Sequence, residues 1–192
     1  MNEIICKKKK YQPVEQLNKN TFKVSLKKKF FYFYQFEDEK SFLDYLEKYN
    51  YLKNTGVKIL KIRRLDKKNF NVVVDYIDGE NPLVMLSKGN LEDTVYEQIF
   101  LMAWYAKTDH ILLDFKPDNF IYFKNELYYK PLTFYPYEEK KAFQTNDIYY
   151  WVYSLKLAEY LKNKGLPVDM SRVKDEYLTN KEVVLKTVRY YH

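Results

Sequence analysis

Residues 112–122 read LLDFKPDNFIY, and the fold assignment starts from this stretch. Two leucines lead the backbone to Asp114, and Pro117 follows three residues later. Because proline fixes φ and has no N–H to donate, the segment predicts a turn between two apolar runs. Such a turn brings Asp114, Lys116 and Asn119 into one loop. The loop would offer a carboxylate, a cation and an amide oxygen to one ligand.

These three side-chain types suit phosphoryl transfer. A carboxylate can orient an attacking hydroxyl, an ammonium group can neutralise phosphoryl charge, and an amide oxygen can coordinate a divalent ion. The pattern D-x-K-P-x-N before an apolar run resembles the catalytic loop of the protein kinase superfamily. The resemblance implies that Asp114, Lys116 and Asn119 are catalytic, with Asn119 also holding Mg²⁺ or Mn²⁺ beside ATP.

Length and composition exclude several other classes. The chain has 192 residues, of which 46% are hydrophobic, enough for one substantial core or two small lobes. Cys6 is the only cysteine and only two histidines occur, so neither a disulfide framework nor a zinc site is expected. Neither a run of about 18 apolar residues nor a signal-peptide core occurs. We therefore expect a soluble, intracellular, cytoplasmic protein that does not contact a membrane.

The formal net charge of +7 leaves a nucleic-acid partner open. Lysine runs occur at residues 7–10 and 27–29, and the other lysines are scattered along the chain. This distribution favours solvated faces and a hairpin turn over a nucleic-acid stripe. A basic nucleic-acid-binding module, using the lysines and the many tyrosines, remains a minor alternative.

The first half of the chain predicts a small antiparallel sheet. Residues 1–12 are expected to form a basic, poorly ordered arm, and residues 13–80 the first lobe. The lysines at 27–29 predict a hairpin turn before the apolar run 30–36. Apolar residues at helical spacing predict a helix over 37–52.

Residues 17–24 are similar to the Gly-rich loop of kinases, with Asn18, Asn20 and Lys23 where glycines would stand. Asparagine tolerates left-handed backbone better than most residues, so the hairpin shape can survive. The resemblance implies that Asn18, Asn20 and Val24 contact the nucleotide. An ordinary hairpin is the alternative interpretation.

Residues 72–80 resemble the last strand and hinge of the kinase N-lobe, because an apolar strand leads to an acidic-aromatic pair and then a glycine. The resemblance implies that the backbone of Asp75, Tyr76 and Ile77 faces the adenine ring. A plain strand and turn is the alternative.

The second half, residues 81–192, is expected to form a reduced, mainly helical lobe. A helix over 91–106 leads into the catalytic-loop segment, and a hairpin over 120–130 follows it. A further helix is predicted over about 145–162. The resemblance implies that Asp147 anchors the catalytic-loop backbone, whereas simple charge complementarity in a first helical turn is the alternative.

Two charges that kinases place around ATP are missing. Kinases carry a lysine on the third strand, where this chain has Tyr34 or Gln35. They carry a metal-binding aspartate after the hairpin, where Pro131 or Leu132 stands. Such losses predict strongly reduced phosphoryl transfer.

The sequence therefore predicts an α+β protein with a two-lobed protein-kinase-like fold, combining a small antiparallel β N-lobe with a reduced, mainly helical C-lobe. Its expected function is that of a pseudokinase with a binding or regulatory role toward a protein partner. The alternative is an active, Ser/Thr-kinase-like phosphotransferase that uses ATP, Mg²⁺ or Mn²⁺ and a protein substrate.

Overall fold

A computed structural model describes residues 3–190, and the fold is α+β, as predicted. The chain divides into two compact units. The sheet unit comprises Met1–Leu52 and Ile59–Asp78, and the helical unit comprises Lys53–Lys58 and Gly79–His192. The sequence predicted a boundary between the two lobes after residue 80.

Within the described residues, the sheet unit contains six antiparallel strands and one helix. The strands are β1 (Ile4–Cys6), β2 (Lys9–Asn18), β3 (Thr21–Leu26), β4 (Lys29–Gln35), β5 (Ile62–Asp66) and β6 (Asn71–Asp75), and the helix between β4 and β5 is α1 (Glu39–Asn54). The spatial order is β1-β2-β3-β4-β6-β5. The helix predicted over 37–52 is thus confirmed with its ends shifted by two residues.

Side chains alternate between the two faces of this sheet, as strand geometry requires. One face, here called the core face, buries Cys6, Tyr11, Val24, Phe33 and Val73 together. The opposite face, here called the helix face, carries the alternate residues of β4, which include Phe30, Tyr32 and Tyr34. Tyr34 packs against Tyr45 of α1, with ring centroids 5.7 Å apart, so this face is the one that the helix covers.

Hairpin geometry explains the placement of the lysine run at 27–29. Lys27 and Lys28 both have positive φ, 50° and 64°, and they connect β3 directly to β4. Two left-handed residues in a two-residue loop match the twist of the flanking strands. The predicted turn is confirmed.

The prediction of a poorly ordered arm over residues 1–12 is wrong for the part that the structure describes. Ile4–Cys6 and the start of β2 pair in register, and Cys6 and Tyr11 are 0% and 2% exposed. The backbone N–H of Lys7 donates to Asp66 Oδ2 at 2.7 Å, which ties the β1–β2 turn to β5. The lysines at 7–10 lie in the β1–β2 turn and at the start of β2. Burial of Tyr11 is enough to fix this end of β2 in the core. Residues 1 and 2 lie outside the described range.

The helical unit consists of α2 (Pro82–Lys88), α3 (Asp93–Thr108), α4 (Leu155–Asn163), α5 (Glu176–Tyr190) and two small sheets. β7 (Ile111–Leu113) pairs with β10 (Phe134–Pro136), and β8 (Phe120–Phe123) pairs with β9 (Glu126–Tyr129). The helix predicted over 91–106 and the hairpin predicted over 120–130 are confirmed. Within residues 3–190, no helix is long and apolar enough to cross a membrane.

The helix predicted over 145–162 is only half correct. Residues Asp147–Tyr150 form a 3-10 turn, and α4 begins at Leu155. The Ser154 hydroxyl accepts from the N–H of Leu157, which is the usual way to start a helix. Trp151 lies between the 3-10 turn and α4. It is 0% exposed, and its Nε1 donates to the carbonyl of Phe115.

Replacing Tyr11 by alanine tests whether the N-terminal strands belong to the fold. Tyr11 is buried against Phe31, with ring centroids 5.9 Å apart, so Tyr11→Ala should cost about 3–5 kcal/mol of unfolding free energy. Urea denaturation measures this change. Tyr177→Ala is the matched control, because Tyr177 is 75% exposed and its loss should cost less than about 0.5 kcal/mol. Equal midpoints for both variants would contradict the placement of β2.

Candidate functional site

The predicted catalytic-loop segment forms a turn in the helical unit, as its proline suggests. β7 ends at Leu113, a 3-10 turn spans Pro117–Asn119, and β8 begins at Phe120. The N–H of Asn119 donates to the carbonyl of Lys116 at 3.0 Å and closes the turn. The loop therefore has a defined backbone between two strands.

The structure places Asp114, Lys116 and Asn119 together in this loop. Lys116 Nζ lies 3.2 Å from Asp114 Oδ2, and Asn119 Nδ2 donates to the Asp114 carbonyl at 3.0 Å. Partial burial alone would lower the pKa of Lys116, but its hydrogen bond to Asp114 and the charge of Asp114 raise that pKa overall. Each of these two charged side chains is 36% exposed, so the pair is accessible.

Two side chains from the 147–151 segment hold the loop in place. The backbone N–H of Phe115 donates to Asp147 Oδ2 at 3.2 Å, and Trp151 Nε1 donates to the Phe115 carbonyl at 2.6 Å. Both polar backbone groups of Phe115 are thereby satisfied although the residue is buried. Asp147 contacts the loop in the way that the kinase resemblance implies, and Trp151 is a partner that sequence reasoning missed.

Asp147 is a buried carboxyl group with few compensating contacts. It is 7% exposed, and burial, reinforced by the nearby charge of Asp114, raises its pKa to about 6. The N–H of Phe115 and the charges of Lys156 and Lys116 act in the opposite direction but are weaker. The carboxyl group therefore titrates just below neutral pH.

Asn146 and Lys156 complete the polar surroundings of Asp147. Asn146 Nδ2 donates to Asp147 Oδ1 at 2.9 Å, and Lys156 Nζ donates to Asn146 Oδ1 at 2.7 Å. Lys156 also lies over the Tyr150 ring, 4.4 Å from its centroid. The sequence carried no signal for Lys156, because α4 brings it back across the preceding turn only in the folded chain.

Asp118, the other carboxylate of the loop, is engaged elsewhere. It accepts from the Tyr160 hydroxyl at 2.7 Å and pairs with Lys164 Nζ at 2.8 Å. Burial would raise the pKa of Asp118, but the hydrogen bonds from Lys164 and Tyr160 lower it overall. This carboxylate serves to join the loop to α4.

The residues around the loop do not fit a phosphate-bound divalent cation. Asn119 supplies one amide oxygen, the Asp114 carboxylate is already paired with Lys116, and residues 130–133 read KPLT and contain no further carboxylate. Lys130 follows directly after β9, and its N–H donates to the Asn119 carbonyl at 2.9 Å. The residue that lies next to Asn119 is therefore cationic. Within residues 3–190, no three His, Cys, Asp or Glu side chains come close enough to hold a metal ion. Divalent cations in proteins favour several oxygen ligands, usually with carboxylates among them.

In the sheet unit, Asn18 and Asn20 form the turn between β2 and β3. The N–H of Asn20 donates to Asn18 Oδ1 at 3.0 Å, and the Asn20 carbonyl accepts from the N–H of Gln35 at 2.9 Å. The side chain of Asn18 and the backbone of Asn20 therefore stabilise the turn. This arrangement matches the ordinary-hairpin interpretation of residues 17–24.

Lys23 and Tyr76 meet on the helix face of the sheet. Lys23 Nζ donates to the Tyr76 hydroxyl at 3.0 Å and lies 4.1 Å from the centroid of the Tyr76 ring and 4.8 Å from that of Phe30. Tyr32 also packs on Tyr76, with centroids 5.0 Å apart. An ammonium group enclosed by aromatic rings is held by both charge and hydrogen bonding.

The residues predicted to bind nucleotide do not share one face. Val24 is 0% exposed and belongs to the core face. Asp75 stands opposite Phe31 in register and pairs with Arg63 Nε at 2.5 Å, which places its side chain on the core face. Tyr76 follows it on the helix face, and Ile77 is half-buried. The alternation of strand side chains separates residues that are neighbours in sequence.

The position of the missing strand lysine is occupied by an aromatic pair. Tyr34 and Tyr45 face each other between β4 and α1, and burial raises the pKa of Tyr34 to about 12. The contact between this strand and the helix is thus made by two neutral rings and carries no charge.

The sequence matches no protein-family model and no curated protein.

The two tryptophans of the chain provide a test of the loop anchor. Trp151→Phe removes the only side-chain donor to the Phe115 carbonyl among the hydrogen bonds described above, and it should cost about 1–3 kcal/mol because a buried acceptor loses its partner. Thermal unfolding measures the loss, and about 2–4 °C is expected for each kcal/mol in a chain of this size. Trp104→Phe is the control, because Trp104 is 41% exposed. A smaller effect at position 151 than at position 104 would contradict the anchor.

Replacing Asp147 by asparagine should change the pH dependence of stability. The folded-state pKa of about 6 lies above the ordinary value of 3.8, so the folded protein binds more protons between these values. The contribution of Asp147 to the free energy of unfolding therefore falls as pH rises through this window, by at most about 3 kcal/mol. Asp147→Asn should gain stability relative to wild type between about pH 4.5 and about pH 7.5, as measured by unfolding at both pH values.

Asp118→Asn is the matched control for this measurement. Because the pKa of Asp118 is lowered in the folded state, its stabilisation is already present above the ordinary value of 3.8. The difference in unfolding free energy between this variant and wild type should stay nearly constant over the same pH range. If Asp118→Asn and Asp147→Asn change with pH in the same way, burial of Asp147 is not the cause of the pH dependence.

Proposed function

We propose that this chain is a two-lobed kinase-like protein whose nucleotide site has degenerated, a pseudokinase that acts by binding or regulating a protein partner. The observation that carries the proposal is the position of Lys23. Its ammonium group is fixed against Tyr76 on the face that would have to accept the adenine ring under the kinase resemblance.

The order of elements supports the kinase-like part of the proposal. A hairpin, a further strand, a helix and a strand ending at Asp75 occur in the sheet unit in the order that the resemblance predicts. A long helix, the D-x-K-P-x-N loop and a hairpin follow in the helical unit in the predicted order.

The loop geometry supports the same relationship more specifically. Asp114, Lys116 and Asn119 contact one another, and Asp147 binds the backbone beside Asp114. An arbitrary turn would not require a buried carboxyl group whose charge is costly to keep in the folded state. The retained loop is therefore best explained as inherited kinase architecture.

The charges around that architecture argue against turnover. Lys23 places a cation on the helix face, Tyr34 stands where a phosphate-binding lysine is expected, and Pro131 or Leu132 replaces the metal-binding carboxylate. Each charge-placing group is typically worth about two to three powers of ten in rate. Losing several of them would leave little phosphoryl transfer, so binding is the function that remains.

An active phosphotransferase is the second candidate, and one observation favours it. The Asp114 carboxylate is partly exposed and paired with Lys116, which is the arrangement a base and a phosphate-neutralising group would need. Under this alternative, ATP with Mg²⁺ or Mn²⁺ would bind with groups that a protein substrate or partner supplies. The nucleic-acid alternative has no comparable support, since the lysine runs lie in hairpins and Lys10 pairs with Glu3.

Thermal unfolding with millimolar ATP, with and without Mg²⁺ or Mn²⁺, separates the two candidates. A ligand at about a hundred times its dissociation constant adds about 2.7 kcal/mol, or several degrees. The pseudokinase proposal predicts a change of less than about 1 °C under every condition. A metal-dependent rise that is lost in Asn119→Ala and kept in Asn163→Ala, an exposed control, would overturn it in favour of the phosphotransferase.

A further inference from the structure

The core face of the sheet unit contains a cavity that the kinase resemblance does not account for. Its volume is about 320 Å³, and its lining combines one carboxylate with apolar side chains and two carboxamides: Glu3, Ile4, Ile5, Pro13, Phe22, Phe33, Gln35 and Asn71. Pockets for small ligands start at about 300 Å³ and combine apolar walls with a few polar groups. The cavity therefore has the size and lining of a small-molecule site.

Asn71 is the unusual member of this lining. It is 6% exposed, and its Oδ1 is buried with no hydrogen-bond partner among the residues that the structure describes. A buried amide without a partner is costly, and such groups commonly mark a place where another molecule completes the hydrogen bonding. Apolar packing alone would be served better by leucine at this position.

Gln35 adds a second carboxamide next to the first. Gln35 and Asn71 are opposite each other in the β4–β6 register, so their side chains leave the sheet on the same face as Phe33. A half-turn about the last side-chain torsion exchanges the oxygen and nitrogen of each amide. The pair can therefore present a donor and an acceptor side by side to one ligand.

The rim of the cavity does not select for a charged ligand. Glu3 lies at the rim, but its carboxylate pairs with Lys10 Nζ at 3.0 Å and accepts from Gln12 Nε2 at 3.2 Å. Its charge is thus already matched within the protein. The remaining lining offers aromatic and aliphatic surface.

We propose that this cavity binds a small, uncharged aromatic compound bearing a carboxamide-like group, with its ring against Phe22 and Phe33 and its amide against Asn71. Such a ligand buries its ring against the apolar walls. The Asn71 oxygen is itself buried, so the ligand N–H donates to it once a half-turn of the Asn71 amide brings the oxygen to the cavity. The site lies on the face opposite Lys23 and Tyr76. The proposal is therefore independent of whether the protein binds nucleotide.

Benzamide is the probe for this site, and benzoate is its matched control. The two molecules have nearly the same shape, but benzoate carries a charge and lacks the N–H donor. In ¹⁵N-resolved NMR spectra of the full chain, benzamide at about 10 mM should shift the side-chain amide signals of Asn71 and Gln35, with a Kd of about 1–10 mM for so small a ligand. Benzoate should leave these signals in place.

Asn71→Leu separates ligand binding from folding. The substitution removes a buried polar group without a partner, so the variant should unfold at the same temperature as wild type or higher, while the benzamide response of the Gln35 signal should disappear. Asn163→Leu, at an exposed position, should keep that response. Equal responses to benzamide and benzoate, or an unchanged benzamide response in Asn71→Leu, would overturn the proposal.

Discussion

The loop of the helical unit depends on the two hydrogen bonds that the buried backbone of Phe115 makes. A buried residue must find partners for its N–H and its carbonyl within the protein. Here the partners are Asp147 and Trp151, which lie 32 and 36 positions later in the chain. The loop that carries Asp114 is therefore held by a segment that lies far away in the chain. Both partners precede α4, one in the 147–150 turn and one directly after it.

The anchor fixes the backbone of the loop without fixing the charges around it. Asp114, Lys116 and Asn119 contact one another, whereas two neutral rings, Tyr34 and Tyr45, pack between β4 and α1. Shape and charge are separate in this way because backbone anchoring depends on a few buried hydrogen bonds, whereas catalysis depends on the identity of exposed groups. A loop that is anchored in this way is compatible with a binding function.

The two faces of the sheet unit carry unrelated features. On the helix face, the Lys23 ammonium group contacts the rings of Tyr76 and Phe30. On the core face, the Asn71 amide stands beside an aromatic cavity without a partner for its oxygen. Strand alternation makes this separation possible, because successive residues point to opposite sides of one strand. One small sheet thus carries a cation–aromatic cluster on one face and a cavity on the opposite face.

The sequence by itself determined the α+β class, the hairpin at the 27–29 lysines, the helices near 39–54 and 93–108, and the turn that gathers Asp114, Lys116 and Asn119. These features follow from local rules of periodicity, turn chemistry and spacing. Tertiary structure alone decided that β1 and β2 belong to the core, that Val24 is buried away from Tyr76, and that Trp151 binds Phe115. It also brought Gln35 and Asn71 together. Those outcomes depend on strand register and on contacts between residues far apart in the chain, which local patterns do not encode.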